Sequence, residues 1–144
     1  MSKALQIADK LAARLTATTA LSGVPVIVDR QKDLAAELLT KVSKLSPACI
    51  ILRYEGFSNS DASQSGRPTV IRRYTATVFA LPIFAGSTGK LGDAVMEAAA
   101  IALHNWEPVE ATDGFPEIRV TGGDYRPDAK FLIYDLDLEI PSKL

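Results

Sequence analysis

The ten residues FLIYDLDLEI (residues 131–140) alternate between apolar and mostly acidic side chains. Alternate residues of a β-strand point to opposite faces of its sheet, so the pattern predicts a strand with one buried and one polar face. The acidic side chains expected on the outer face are Asp135, Asp137 and Glu139. The side chains expected to face the core are Leu132, Tyr134, Leu136, Leu138 and Ile140. The pattern favours a sheet that is covered by helices on one face.

Two further strands are predicted to form a hairpin, from ACIILRYEGF (residues 48–57) and from residues 69–81. The segment SNSDASQSG (residues 58–66) joins them and offers no aliphatic side chain larger than Ala. Such a segment buries too little apolar area to offset its ordering entropy, so we expect a mobile loop at about 58–66. It is either an inert insertion or a segment that becomes ordered against a partner.

Arginines follow this loop, and they favour the second of these alternatives. Arg67, Arg72 and Arg73 can donate charge-assisted hydrogen bonds at one end of the loop. With Asp61 inside the loop, they are the expected interface residues of the hairpin, and Arg72 and Arg73 are expected to face outward beside the acidic row. If the two strands are adjacent, cross-strand charge pairs help to set their register; if one is an edge, its charges discourage unspecific pairing.

Hydrophobic spacing predicts three helices, at residues 3–18, 33–46 and about 87–108. A short strand is expected at residues 24–29 and a further strand at residues 116–125. The side chains expected to line the buried side of the third helix are Leu91, Val95, Ala98, Ile101 and Ala102. The order of these elements predicts an α+β fold with a largely antiparallel or mixed sheet of about four to five strands and helices on one face.

Length and composition agree with one globular domain spanning residues 1–144. The chain is 47% hydrophobic and has 16 basic and 17 acidic residues. This balance creates no field that would attract nucleic acid or an anionic membrane, so neither is an expected partner. The N-terminal segment lacks the apolar run of a signal peptide, and no segment is apolar enough to span a membrane. We therefore expect a protein made and kept in the cytoplasm of its cell.

The sequence offers no strong catalytic, cofactor or metal signature. Cys49 is the single cysteine and His104 the single histidine, which excludes a disulfide framework and leaves a Cys–His pair as a weak alternative. GSTGKL (residues 86–91) lacks the preceding glycine and the following Ser or Thr of a phosphate-binding loop. The carboxylates of the C-terminal third lack calcium-loop spacing, which leaves solvated turns as the favoured interpretation and magnesium as an alternative. These carboxylates are Asp113, Glu117, Asp124 and Asp128.

Trp106 and Phe115 bracket the segment EPVEATDG (residues 107–114). They form either a small cluster under that segment or exposed anchors of an interface, where aromatic side chains are favoured.

The whole pattern resembles the tail-terminator, or tail-completion, proteins of long-tailed bacteriophages, including those of Mu-like contractile phages. The resemblance is carried by the helix ALQIADKLAARL, the segment VPVIVDR, two long strands joined by a polar loop, an Ala-rich helix and the closing FLIYDLDLEI strand. A helix at 33–46 is longer than the family pattern leads one to expect. The resemblance implies a protein that is not an enzyme and needs no cofactor.

It further implies a ring, hexameric in the family, that caps the tail tube, stops its elongation and presents a surface for the head and neck. The implied partners are copies of the chain itself, the tail tube protein and the head–neck connector proteins, in a virion assembled in the host cytoplasm. Alternatives are a neck or head–tail completion protein, a small-molecule-binding α+β module and a cellular adaptor subunit. The predicted interface residues are Asp61, Arg67, Arg72, Arg73, Trp106, Phe115, Asp135, Asp137 and Glu139.

Overall fold

The computed structural model describes residues 3–30, 48–59, 69–81, 92–104, 106, 118–127 and 132–143. Within these ranges the chain forms two α-helices, one 3₁₀ turn and five strands. In chain order these are α1 (Lys3–Ala17), the 3₁₀ turn (Thr19–Leu21), β1 (Val26–Val28), β2 (Ala48–Asn59), β3 (Thr69–Ala80), α2 (Gly92–Leu103), β4 (Arg119–Pro127) and β5 (Leu132–Lys143). The helix expected at residues 33–46 lies outside the described residues.

The five strands form one mixed sheet in the order β1-β2-β3-β5-β4. β1 runs parallel to β2, and the other three neighbouring pairs are antiparallel. The predicted α+β class and the predicted number of strands are therefore confirmed. Because β3 and β5 are both interior, the edges of the described sheet are β1 and β4.

Helix α1 covers one face of the sheet with the stripe that the sequence predicts. Its buried side chains recur at helical spacing: Ala4, Ile7, Ala8, Leu11 and Leu15. They pack in the main core against apolar side chains of β2, β3 and β5. The helix ends at Ala17, where the Thr18 hydroxyl donates a hydrogen bond of 2.8 Å to the carbonyl oxygen of Arg14.

Helix α2 packs on the same face, but its buried side differs from the predicted one. Its buried residues are Gly92, Val95, Ala99, Ala102 and Leu103. Ile101 is 81% exposed, so the expectation that it lines the core is wrong. Residues i, i+4, i+7 and i+8 share one face of a helix, so the face that contains Val95 also contains Ala99, Ala102 and Leu103. Leu91 lies outside the described residues.

β5 follows the predicted alternation, with Leu136, Leu138 and Ile140 in the core. β2 is buried on both faces as far as Leu52. Ile50 and Leu52 of β2 are fully buried, while Arg53 on the opposite face is exposed. The strand continues beyond its predicted end to Asn59, which pairs with Val70 of β3. The first two residues of the segment expected to be a mobile loop are therefore strand; residues 60–66 lie outside the described part.

A bulge in β2 changes which residues face the helices. The register with β3 shifts between Tyr54 and Gly56, and Gly56 has a φ of +112° that favours glycine. Beyond the bulge, Phe57 pairs with Arg72 and therefore shares the helix-bearing face of the sheet with it. Strict alternation from Arg53 would have placed Phe57 on the opposite face.

The other face of the sheet is apolar at one end and polar at the other. Ile27, Cys49 and Ile51 form a small buried cluster there, with Phe79 packed against it. Towards the opposite end of the strands the same face carries charged and hydroxyl side chains. Neither of the two described helices is long and apolar enough to cross a membrane.

Candidate interaction surface

The acidic row of β5 lies beside β3 in the polar part of the outer face. In the register of this pair, Arg73 is opposite Glu139, Thr75 opposite Asp137 and Thr77 opposite Asp135. β4 adds charges on the other side of β5. We call this surface the outer polar patch; its charged members are Glu55, Arg73, Arg119, Asp124, Arg126, Asp135, Asp137 and Glu139.

Asp135 is the best anchored carboxylate of the patch. It accepts a hydrogen bond of 2.7 Å from the Thr77 hydroxyl on β3 and one of 3.1 Å from Nε of Arg126 on β4. The three side chains join three strands across the face. The ion pair is partly exposed, so its contribution to stability is about 0–1 kcal/mol, and its main effect is to fix the direction of the carboxylate.

Asp137 is in the opposite situation. It forms no ion pair with any residue that the structure describes, and Asp124, Asp135 and Glu55 lie near it. Desolvation, followed by the negative charges of these neighbours, raises the pKa of Asp137. Carboxylates outnumber arginines in the patch, so this part of the surface is short of positive charge.

The patch contains a shallow depression of about 290 Å³ over β3 and β5. Its polar lining comes from Glu55, Arg73, Thr75, Asp137 and Glu139. A depression of this size and polarity is open to a side chain of a partner, which would meet carboxylates and hydroxyls there. Thr121, Tyr74 and Leu138 complete its lining.

Arg72 and Arg73 do not act as a pair. Neighbouring residues of a strand point to opposite faces, so only Arg73 belongs to the outer polar patch. Arg72 is 5% exposed and lies on the helix-bearing face, where its Nε donates a hydrogen bond of 2.8 Å to the Ser142 hydroxyl. The expectation that both arginines face outward is therefore wrong for Arg72.

Trp106 is half-buried and packs against the rim of the main core. The guanidinium carbon of Arg14 lies 5.4 Å from the centre of its ring, and its carbonyl oxygen accepts a hydrogen bond from the Ile118 amide. These contacts favour a structural role for Trp106 over an exposed anchor. The other predicted interface residues, Asp61, Arg67 and Phe115, lie outside the described residues.

β4 offers an exposed edge beside the patch. His104 accepts a hydrogen bond of 3.2 Å from the Val120 amide through Nδ1, so the start of the strand is already engaged. From there the register shifts between Val120 and Gly122, and residues 121–126 are all exposed. Tyr125 is 53% exposed, and its ring centre lies 4.8 Å from that of Tyr134. A bulge, two glycines and charges are features that keep an edge from unspecific pairing.

The sequence did not identify several members of this surface. Thr75 and Thr77 belong to a strand that was recognised, and their place opposite the acidic row follows from the register. Arg126 was not singled out, because it lies after a Gly-Gly pair whose bulge cannot be placed by alternation.

The alternative catalytic and metal sites find no support in the described residues. Cys49 lies on β2 in the small buried cluster, while His104 contacts β4, three strands further across the sheet. Strands are spaced about 4.8 Å apart, so the two residues are far beyond hydrogen-bonding reach. No group of three or more His, Cys, Asp or Glu in the described part is arranged to hold a metal ion. Residues 86–91, Asp113, Glu117 and Asp128 fall outside the described part.

No protein-family model matches this sequence, and no curated protein matches it either.

Proposed function

We propose that the protein is a structural tail terminator of a long-tailed phage, which forms a ring on the end of the tail tube, stops tube growth and presents a surface to the neck. The proposal begins from the sequence resemblance described above. It is supported by a one-domain α+β fold whose closing strand has the expected alternation. The observation that supports it most strongly is the outer polar patch, an extended surface on which carboxylates outnumber arginines.

The charge of the patch favours a particular symmetry. A two-fold axis through it would place the acidic row of one copy against the same row of another, and opposed like charges are unfavourable. The patch is better suited to a different, more basic surface of the next copy or of the tube. Contacts between two different surfaces are heterologous, and they close into a ring when the rotation between subunits permits it.

The experiment is to mix the purified protein with tail tubes that lack a terminator and to examine them by light scattering and negative-stain electron microscopy. We expect rings on tube ends and tubes that no longer elongate when tube subunits are added. The test variant is Asp137→Lys, which reverses charge at the centre of the patch. The matched control is Glu97→Lys, which makes the same charge reversal at an exposed position of α2, on the other side of the sheet.

Loss of tube-end binding in the first variant and retention in the control would support the proposal. A protein that forms no rings and binds no tube ends would contradict it. Binding to isolated neck complexes in place of tubes would instead identify a neck or head–tail completion protein.

A further inference from the structure

Arg72 is a buried cation whose described contacts are all with neutral groups. It lies on β3 between Val70 and Tyr74, and only 5% of its surface is exposed. Nε donates a hydrogen bond of 2.8 Å to the hydroxyl of Ser142, which is itself buried. Nη1 donates one of 3.1 Å to the hydroxyl of Tyr54. Burying a charge is unfavourable unless an opposite charge or a full set of hydrogen bonds compensates it.

The hydrogen-bonding capacity of this guanidinium is only partly used. An arginine has five N–H donors, and the described partners of Arg72 accept from two of them. No carboxylate in the described part of the chain forms an ion pair with Arg72. Every buried side-chain nitrogen of the described residues has a hydrogen-bond partner. None of the described residues accepts a hydrogen bond from Nη2, so Nη2 is not buried and reaches solvent. Nη2 is therefore accessible from outside, and Nη1 keeps one N–H that its contact with Tyr54 does not use.

The guanidinium is also held in a fixed orientation. Its two hydrogen bonds come from different strands, β5 and β2, and its central carbon lies 5.9 Å from the centre of the Tyr54 ring. The Tyr54 ring in turn lies 5.1 Å from that of Tyr74. A cation fixed in this way loses little conformational freedom when it binds an anion. Beside it on the same face, Phe57 pairs with Arg72 across the strands and is 46% exposed.

We propose that Arg72 binds a carboxylate group, which accepts end-on hydrogen bonds from Nη1 and Nη2 while Phe57 contacts the apolar part of the molecule that carries it. Two parallel N–H to oxygen bonds are the geometry that guanidinium and carboxylate groups prefer. The site lies on the helix-bearing face, opposite the outer polar patch, and does not depend on ring formation. The carboxylate belongs either to a small free acid or to an acidic side chain of a bound protein.

The test is a titration of the full ¹⁵N-labelled chain with sodium acetate, followed by ¹H–¹⁵N spectra, against sodium chloride at equal ionic strength. We expect the Nε–Hε signal of Arg72 and the amide signal of Phe57 to shift along one saturable curve in acetate and not in chloride. The Nε–Hε signal of Arg53, which is exposed and already paired with Asp29, should respond equally to both salts. A response of Arg72 that is linear, or the same in both salts, would overturn the proposal.

Variants add a second measurement. Arg72→Lys keeps the charge but not the two parallel donors, so the acetate concentration at half-saturation of the Phe57 signal should rise about tenfold. Arg73→Lys, on the opposite face, should leave it unchanged. If Arg72→Lys does not fold, the wild-type titration with its Arg53 reference remains decisive. Self-association that acetate inhibits would identify a carboxylate of a second copy as the source, whereas saturable acetate binding by a chain that stays monomeric would identify a free acid.

Discussion

The hydroxyl of Tyr74 donates a hydrogen bond of 2.7 Å to the carbonyl oxygen of Ala4, which joins the middle of β3 to the first turn of α1. Tyr74 is almost fully buried, and its ring contacts that of Tyr54. Desolvation raises the pKa of this hydroxyl well above its usual value, and the nearby charge of Arg72 only partly opposes that effect. The contact between sheet and helix therefore depends on a neutral tyrosine.

Stability should consequently fall at alkaline pH. The folded protein retains the Tyr74 proton at pH values where the unfolded chain, with a tyrosine pKa of about 10, has released it. The contribution of the Tyr74 hydroxyl to the free energy of unfolding is therefore complete below about pH 10 and is lost progressively as the pH rises above that value. Urea unfolding between pH 8 and 11 should show this decline in wild type and a smaller one in Tyr74→Phe. The exposed Tyr125→Phe should retain the wild-type profile.

Arg72 and Arg73 should differ sharply when each is replaced by Ala. Arg72→Ala removes a packed side chain and leaves the Tyr54 and Ser142 hydroxyls without their partner, which should cost about 2–3 kcal/mol of unfolding free energy. Arg73→Ala removes an exposed side chain and should change stability by less than about 0.5 kcal/mol. Thermal or urea unfolding of the two variants measures the difference. Equal effects would contradict the placement of these side chains on opposite faces.

The sequence predicted those features of the fold that depend on simple periodicity. The alternation of β5 and the stripe of α1 were correct because one face of each element is continuously apolar. The neighbouring residues Arg72 and Arg73 show where this reasoning was incomplete. Alternation along β3 requires their side chains to lie on opposite faces, but both were expected to face solvent because both are charged. The burial of Arg72 is made possible by Ser142 and Tyr54, which come from distant parts of the chain.

The other differences concern features that no local pattern specifies. Every residue from Ala98 to Leu103 is apolar, so the buried side of α2 is fixed by its contact with the sheet and not by its own sequence. The bulge at Gly56 moves Phe57 to the helix-bearing face, and a single inserted residue leaves little trace in the pattern. The strand order that makes β1 and β4 the edges depends on pairing between distant segments.

Asp137 and Asp135 should respond in opposite directions to substitution by Asn. The raised pKa of Asp137 means that the folded state favours the protonated form of this side chain. Its contribution to stability is therefore present below the unfolded pKa of about 4 and is lost as the pH rises through the folded pKa. Asp137→Asn removes this unfavourable charge and should raise the midpoint of thermal unfolding slightly at pH 7. The gain should be a few tenths of a kcal/mol, because the carboxylate is mostly solvated.

Asp135→Asn should instead lower the midpoint at pH 7, since it weakens the contacts to Thr77 and Arg126. Differential scanning calorimetry at pH 4 and pH 7 tests both variants. Under the proposed function, the unpaired charge of Asp137 serves to bind a partner. Asp137→Asn would therefore combine higher stability with weaker tube binding. A loss of stability at pH 7 in Asp137→Asn would show that this carboxylate has a favourable partner.

Gly92 should be intolerant of a side chain. A Cβ atom at this position would lie 2.6 Å from Cε2 of Tyr134 and 2.9 Å from the Cβ of Ala80, closer than such atoms approach one another. Both neighbours are held in paired strands, so Gly92→Ala should force the start of α2 away from the sheet at a cost of about 1–3 kcal/mol. Gly122→Ala is the matched control, because its nearest contact would be an ordinary 3.9 Å to a carboxylate oxygen of Asp137. Urea unfolding should show a large loss for the first variant and little change for the second, and a tolerated Gly92→Ala would mean that α2 does not begin in contact with β3 and β5.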